Sequence, residues 1–147
     1  MKTRHTVPAD MTFDDIKPGQ EASFTHTVTQ KDVDLFTELT GDRHPLHHDE
    51  EYARRTQFGG KIVQGLLTAS FLSRLIGIYL PGERALYLSQ HVKFIKPVRT
   101  GDRLTVTGKV IDKKTTKRNK ITLKTEITNQ NGILVLSGHA VVMIREE

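Results

Sequence analysis

The chain has no cysteine and no tryptophan. The first absence excludes disulfide frameworks, thiolate zinc sites and any thiol nucleophile at once, and it fits a reducing compartment. Long apolar runs are also missing. Ala140 to Ile144, among the longest, holds five residues, whereas a membrane-spanning helix needs about 20. Lys2 and Arg4 near the amino terminus lead into Thr12, Asp14, Asp15 and Lys17 rather than an apolar segment. No secretory leader or membrane association is therefore expected, and the chain reads as cytoplasmic. Proline is sparse, at 5 residues, and no repeat or Pro/Gly/Ser-rich linker divides the sequence. Residues 1–147 thus read as one domain, long enough to bury roughly 68–70% of its unfolded surface without a staple.

Acidic residues are outnumbered 17 to 22 by Lys and Arg, giving a net charge of +5. That balance suits an anionic partner, yet the basic residues are dispersed except between Lys109 and Lys124. Lys113, Lys114, Lys117, Arg118 and Lys120 read as a hairpin turn in solvent. No aromatic residue stands among them to stack on a base, so nucleic acid is not expected as a partner.

The first part of the chain is patterned for helices. Ala22 to Val28 alternates as a short strand. Thr29 followed by Asp32 is an N-cap with a capping-box acid, and it opens a helix whose apolar residues are Val33, Leu35, Phe36 and Leu39. Gly41 is a left-handed stop. Asp49 caps a second, short helix through Arg55, and Phe58-Gly59-Gly60 breaks the chain again. Ile62 to Leu80 is apolar around most of its circumference and reads as one long helix buried on several sides, ended by Pro81-Gly82. Beyond that point four stretches alternate with period two. One carries Leu86, Leu88, Gln90, Val92 and Phe94 on a single face, and the last follows the Asn131-Gly132 turn. They read as a sequence-adjacent antiparallel meander around the helix, an α+β layer architecture.

Chemistry concentrates between Gly41 and Asp49, where Asp42, His44, His47, His48 and Asp49 fall within a loop stiffened by Pro45. A carboxylate and an imidazole directed at one point can hold a water, one group accepting its proton while the other delivers a proton nearby. The same residues are also ordinary for a solvated loop in which Asp42 closes a turn.

The run Phe36-Thr-Glu-Leu-Thr-Gly-Asp42-Arg-His-Pro45-Leu-His47, with Ala53 and with Ile62-Val-Gln-Gly65-Leu-Leu-Thr-Ala-Ser downstream, resembles the (R)-specific enoyl-CoA hydratases of the MaoC-like dehydratase family. The similarity extends from about Phe13 to Ile144 and includes Phe94-Ile-Lys-Pro97-Val followed by Gly101-Asp102. The resemblance implies a hot-dog fold, a long central helix wrapped by an antiparallel sheet. It also implies a homodimer or a higher homo-oligomer, with active sites at the dimer interface. An acyl-CoA substrate is implied, hydrated reversibly from trans-2-enoyl-CoA to (R)-3-hydroxyacyl-CoA, with no cofactor and no metal. Asp42 and His47 would be the catalytic pair, the Gly65 amide would face the thioester oxygen, and Ser73 would place a hydroxyl near Asp42.

Two positions depart from the family pattern. His44 stands where Asn is usual, and is expected to donate a hydrogen bond that orients the loop. Gln64 precedes Gly65 where His is frequent. Leu66, Leu67, Phe71 and Ile76 are candidates for an acyl pocket, and the Lys113 to Lys120 cluster is a candidate for attracting coenzyme A phosphates. Three other readings stand beside the hydratase: a hot-dog acyl-CoA thioesterase, a 3-hydroxyacyl-ACP dehydratase, and a metal site built from His44, His47, His48 and Asp49.

Overall fold

A computed structural model describes residues 7–147 of the chain; the amino-terminal reading based on Lys2 and Arg4 lies outside the described residues. The elements run β1 (Glu21–Thr27), α1 (Gln30–Thr40), α2 (Pro45–His48), α3 (Glu50–Arg54) and α4 (Gly65–Arg74). A π-helical turn (Leu75–Tyr79) continues α4, followed by β2 (Ala85–Phe94), β3 (Arg103–Lys114), β4 (Lys120–Thr128) and β5 (Leu134–Ile144).

Local chemistry sets the first helix. Thr29 Oγ1 accepts from Asp32 N at 3.1 Å, while the Asp32 carboxylate accepts from Thr29 N at 3.0 Å, so both halves of the capping box are made. Gly41 ends α1 at φ 79°, a left-handed conformation that costs glycine nothing, and its N–H returns to Thr37 O. The buried face differs from the expected one. Val33 and Thr37 are buried and Phe36 packs on the core, but Leu35 and Leu39 are 54% and 86% exposed. The core touches α1 along the Val33–Thr37 row, and Leu35 and Leu39, two residues on from each, fall on the opposite face.

The long helix begins later than the apolar pattern suggests. Residues 62–64 lie outside the helix, with their backbone taken by other partners: Ile62 N donates to Leu46 O and Val63 N to Val98 O. Helical bonding starts with Thr68 N to Gln64 O and widens into the π turn, where Leu80 N bonds Leu75 O. Leu80 itself is extended, as the residue before a proline prefers. Leu67, Leu72, Leu75 and Ile76 face the sheet, whereas Leu66 is 65% exposed, so the helix is not covered on every side.

The sheet has five antiparallel strands in the order β1-β3-β4-β5-β2. Strands β3, β4 and β5 are the expected meander, but β2 pairs with β5 and forms an edge, not a neighbour of β3. The reason lies in residues 95–102. Val98 O is bound to Val63 N at the start of the helix, while Gly101 N and Asp102 O bond Val28, which sends the chain across to the β1 side before β3 begins.

The β2–β5 register also shifts between Tyr87 and Ser89, and this bulge divides the expected single face of β2. Tyr87 points inward before it and Gln90 and Val92 after it, where Tyr87 Oη donates to Gln90 Oε1. Leu86 and Leu88 remain 44% and 45% exposed. Beside β2, a Cβ at Gly138 would lie 1.7 Å from His91 O, so only glycine permits the close approach of these two strands.

Val106, Val110, Leu123, Ile127, Leu136 and Val142 form the fully buried inner face, which curves around α4 and the π turn. A helix cradled by a five-stranded antiparallel sheet is the hot-dog fold. The β3–β4 hairpin turns at residues 115–119, but Lys113 is not in solvent: its Nζ donates to Phe13 O at 2.7 Å and Ile16 O at 2.6 Å. Among the described residues no helix is long and apolar enough to cross a membrane.

Burial raises the affinity of the Asp32 carboxyl for its proton, but the Thr29 amide and the His26 ring outweigh it and hold the pKa below its ordinary value of 3.8. A depressed carboxylate contributes stability above its unfolded pKa and loses it as pH falls through the folded one. Asp32→Ala is therefore expected to cost about 1 kcal/mol at neutral pH. In urea titrations the difference from the unsubstituted protein should shrink as the pH is taken below the carboxyl's range.

Candidate active site

The loop after α1 is set by short-range bonds. Asp42 N bonds Thr40 Oγ1, and Asp42 Oδ1 accepts from His44 N at 3.2 Å, the turn-closing contact that a solvated loop would also make. His44 then caps α2, but as an acceptor: Leu46 N donates to its Nδ1 at 3.1 Å. The expectation that His44 donates is corrected here, because the ring takes the place of an N-cap side-chain oxygen. Asp49 caps α3 through Tyr52 N at 2.9 Å.

His47 is oriented from the other side. Its Nδ1 lies 2.7 Å from Ile62 O. A carbonyl only accepts, so Nδ1 carries the proton and Nε2 is left as the acceptor of the neutral ring. Asp42 and His47, both half-buried, line one cavity of about 490 Å³ together with Gly65. Gly65 is the first residue of α4, and its N-cap Gln64 supplies no side-chain cap. The amides at this end of α4 therefore offer donors and the positive end of the helix dipole to the cavity. A Cβ on Gly65 would lie 2.9 Å from the Phe94 ring, so the glycine also seats that aromatic wall.

The remaining wall was only partly legible. Of the four apolar residues proposed for a pocket, Leu66 lines the cavity; Leu67, Phe71 and Ile76 pack in the core. The other apolar lining comes from Phe58, from Ile62 and Val63, and from the Phe94-Ile95 and Pro97-Val98 block after β2. Lys96 stands exposed in the same wall. Ser73, expected near Asp42, is exposed on α4 and does not line the cavity. None of the Lys113 to Lys120 cations lines it either.

His48 and Asp49 are engaged in structural contacts, and among the described residues no group of three or more His, Cys, Asp or Glu side chains is placed to hold a metal ion. One feature left no signal in the sequence. Gln64 Nε2 donates to Thr37 Oγ1 at 3.0 Å, and Thr37 Oγ1 meets His48 Nε2 at 2.7 Å, in a string that ties α1, α2 and the start of α4 together.

The profile of the MaoC like domain matches residues 14–131. The chain belongs to the MaoC-like dehydratase family. It is 42% identical over 136 residues to the (R)-specific enoyl-CoA hydratase of Rhodospirillum rubrum, an alignment that covers 90% of each chain. It is 37% identical over 134 residues to the (R)-specific enoyl-CoA hydratase of Aeromonas caviae, covering 91% of this chain and 99% of that one. The unliganded R-hydratase PhaJ1 from Pseudomonas aeruginosa superposes with a TM-score of 0.87 at 36% identity, covering 94% of this chain and 88% of that structure.

Thr37→Val would leave the buried Gln64 amide without an acceptor, at a cost of about 1–3 kcal/mol. Thr37→Ser should retain the string and most of that stability, a contrast that urea unfolding of the two variants measures.

Proposed function

We propose that this MaoC-like chain is an (R)-specific enoyl-CoA hydratase, a hydro-lyase that adds water reversibly to trans-2-enoyl-CoA to give (R)-3-hydroxyacyl-CoA. Residues 1–147 act as one domain, and the reaction needs no metal or cofactor. The observation that carries this reading is the convergence of Asp42, a tautomerically fixed His47 and Gly65 on one largely apolar cavity. The two hydratase relatives and the hydratase structure support the same chemistry.

In this reading the labour is divided between Asp42 and His47. With Nδ1 bound to Ile62 O, neutral His47 accepts a proton only at Nε2, so it removes one from water as the oxygen bonds to the β-carbon. The π electrons move to the thioester oxygen, where the Gly65 N–H stabilises the enolate, a donation typically worth about 10² to 10³ in rate. The proton on Nε2 then passes to the α-carbon, and the enzyme ends as it began. Asp42 accepts the remaining hydrogen of the water as a hydrogen bond, which orients it and stabilises the imidazolium. Water held on one side of the double bond gives a single stereoisomer. Lys96 offers a cation to the phosphates of the carrier.

The chain acts as a homodimer in this reading. Strand β2 is an edge with unpaired backbone groups and exposed Leu86 and Leu88, a surface that soluble proteins cover or charge. Phe94 at the end of β2 and Ile95 after it also line the cavity, so a second copy seated on this edge would close the site. In this reading the enzyme works in the cytoplasm on a dissolved thioester.

Asp42→Asn and His47→Gln are each expected to lower crotonyl-CoA hydration by about 10² to 10⁴-fold, read by loss of the conjugated thioester absorbance. Wild-type rates in either variant, or an (S) product on chiral analysis, would contradict the assignment. Leu88→Arg is expected to yield monomers in analytical ultracentrifugation and to lose activity in parallel.

A further inference from the structure

Two polar groups in the cavity wall have nothing to bond. Gln64 and Thr68 are only 2% and 3% exposed, both line the cavity, and Gln64 Oε1 and Thr68 Oγ1 are buried without a hydrogen-bond partner. They are four residues apart across the first turn of α4, which sets them on one face of the helix. The other end of the Gln64 amide is committed, since its Nε2 donates to Thr37 Oγ1, which in turn faces His48 Nε2. In the orientation the structure gives, the amide nitrogen is spent on Thr37 and the oxygen is the end left free. Around these two groups the wall is apolar, formed by Val63, Leu66, Phe94, Val98 and Val135.

Buried polar groups left unpaired cost about 1–3 kcal/mol each, and native proteins rarely keep them without a use. Their chemistry specifies the partner. Gln64 Oε1 only accepts, whereas the Thr68 hydroxyl both donates and accepts. A carboxylate or a ketone would present lone pairs to Oε1, and an alkyl chain would leave both groups unpaired. A hydroxyl donates to Oε1 and accepts from Thr68 with one atom.

We propose that Gln64 and Thr68 form a polar subsite in the acyl cavity that takes a hydroxyl group carried on the acyl chain, beyond the double bond that is hydrated. The proposal rests on the reading of the cavity as an acyl-thioester site and adds to it a class of substrate, the hydroxylated 2-enoyl thioester. Gln64 and Thr68 are then specificity residues, separate from the proton-transfer pair.

The test compares trans-2-enoyl-CoA thioesters that end in a hydroxyl on the fourth, fifth or sixth carbon with isosteres carrying a methyl in its place. The unsubstituted protein is expected to show kcat/KM about tenfold or more in favour of at least one hydroxylated member. Thr68→Val keeps the side-chain shape and removes the hydroxyl, and should move that ratio about tenfold or more toward the alkyl series, while Thr68→Ser restores it. Two outcomes overturn the subsite alone: crotonyl-CoA hydration with no preference for any hydroxylated member, or a ratio in Thr68→Val equal to that of the unsubstituted protein. The first needs no variant to fold. A crystal structure of the bound hydroxylated product with a water retained on both groups would overturn it as well. Failure to hydrate crotonyl-CoA or any member of the series would instead remove the hydratase reading itself, and the subsite with it.

Discussion

Three residues ahead of the central helix, Ile62 to Gln64, hold the cavity together. Ile62 N is bound to Leu46 O and Ile62 O to His47 Nδ1, Val63 N is bound to Val98 O, and the Gln64 side chain is bound to Thr37. The loop after the first helix, the start of the central helix, the wall after β2 and the first helix itself therefore all take their positions from one stretch of backbone. Ordinary backbone bonding requirements produce this arrangement: a segment that has left the helix must find partners for every N–H and C=O it buries. Those partners happen to be the elements that surround the cavity, so satisfying the backbone also sets His47 and the start of α4 in the same cavity wall.

The same segment explains why the helix starts where it does. Had residues 62–64 been helical, Val63 N would have no reason to bond Val98 O, and Gly65 would sit a turn inside the helix with its amide consumed. Beginning at Gly65 leaves the first turn of α4 without a side-chain cap in the cavity wall, at a glycine that admits the Phe94 ring. The polar string from Gln64 through Thr37 to His48 ties the imidazole loop to the start of the helix, and it leaves Gln64 Oε1 buried without a partner.

Much of the local structure was legible because its causes are local. The Thr29–Asp32 capping box, the Gly41 stop and the Asp49 cap each depend on residues within four positions, and each formed where read. The hairpin between β4 and β5 formed around Asn131-Gly132, although the loop takes in residues 129–133. Long-range effects were illegible. The parity of β2 changes at a bulge that the alternation of Leu86 to Phe94 conceals, and its place beside β5 depends on where Val98 and Asp102 bond. Of α1's apolar residues, the sequence could not say that Val33 and Phe36 face inward while Leu35 and Leu39 face out, since all four fit a 3.6-residue period loosely. Ser73 shares the spacing of a site residue but lies on the exposed side of α4.

By its order of residues alone, the chain determined its helix caps, its turns, its lack of thiol chemistry and the composition of the Asp42 to His47 loop. These depend on side-chain type and on bonds spanning a few residues. Tertiary structure decided which nitrogen of His47 carries the proton, where the central helix begins, which side chains wall the cavity and which polar atoms are left without partners. Each of those is set by a group distant in sequence, Ile62 for His47, Val98 for Val63 and Thr37 for Gln64, and only the closed fold brings such groups within bonding distance.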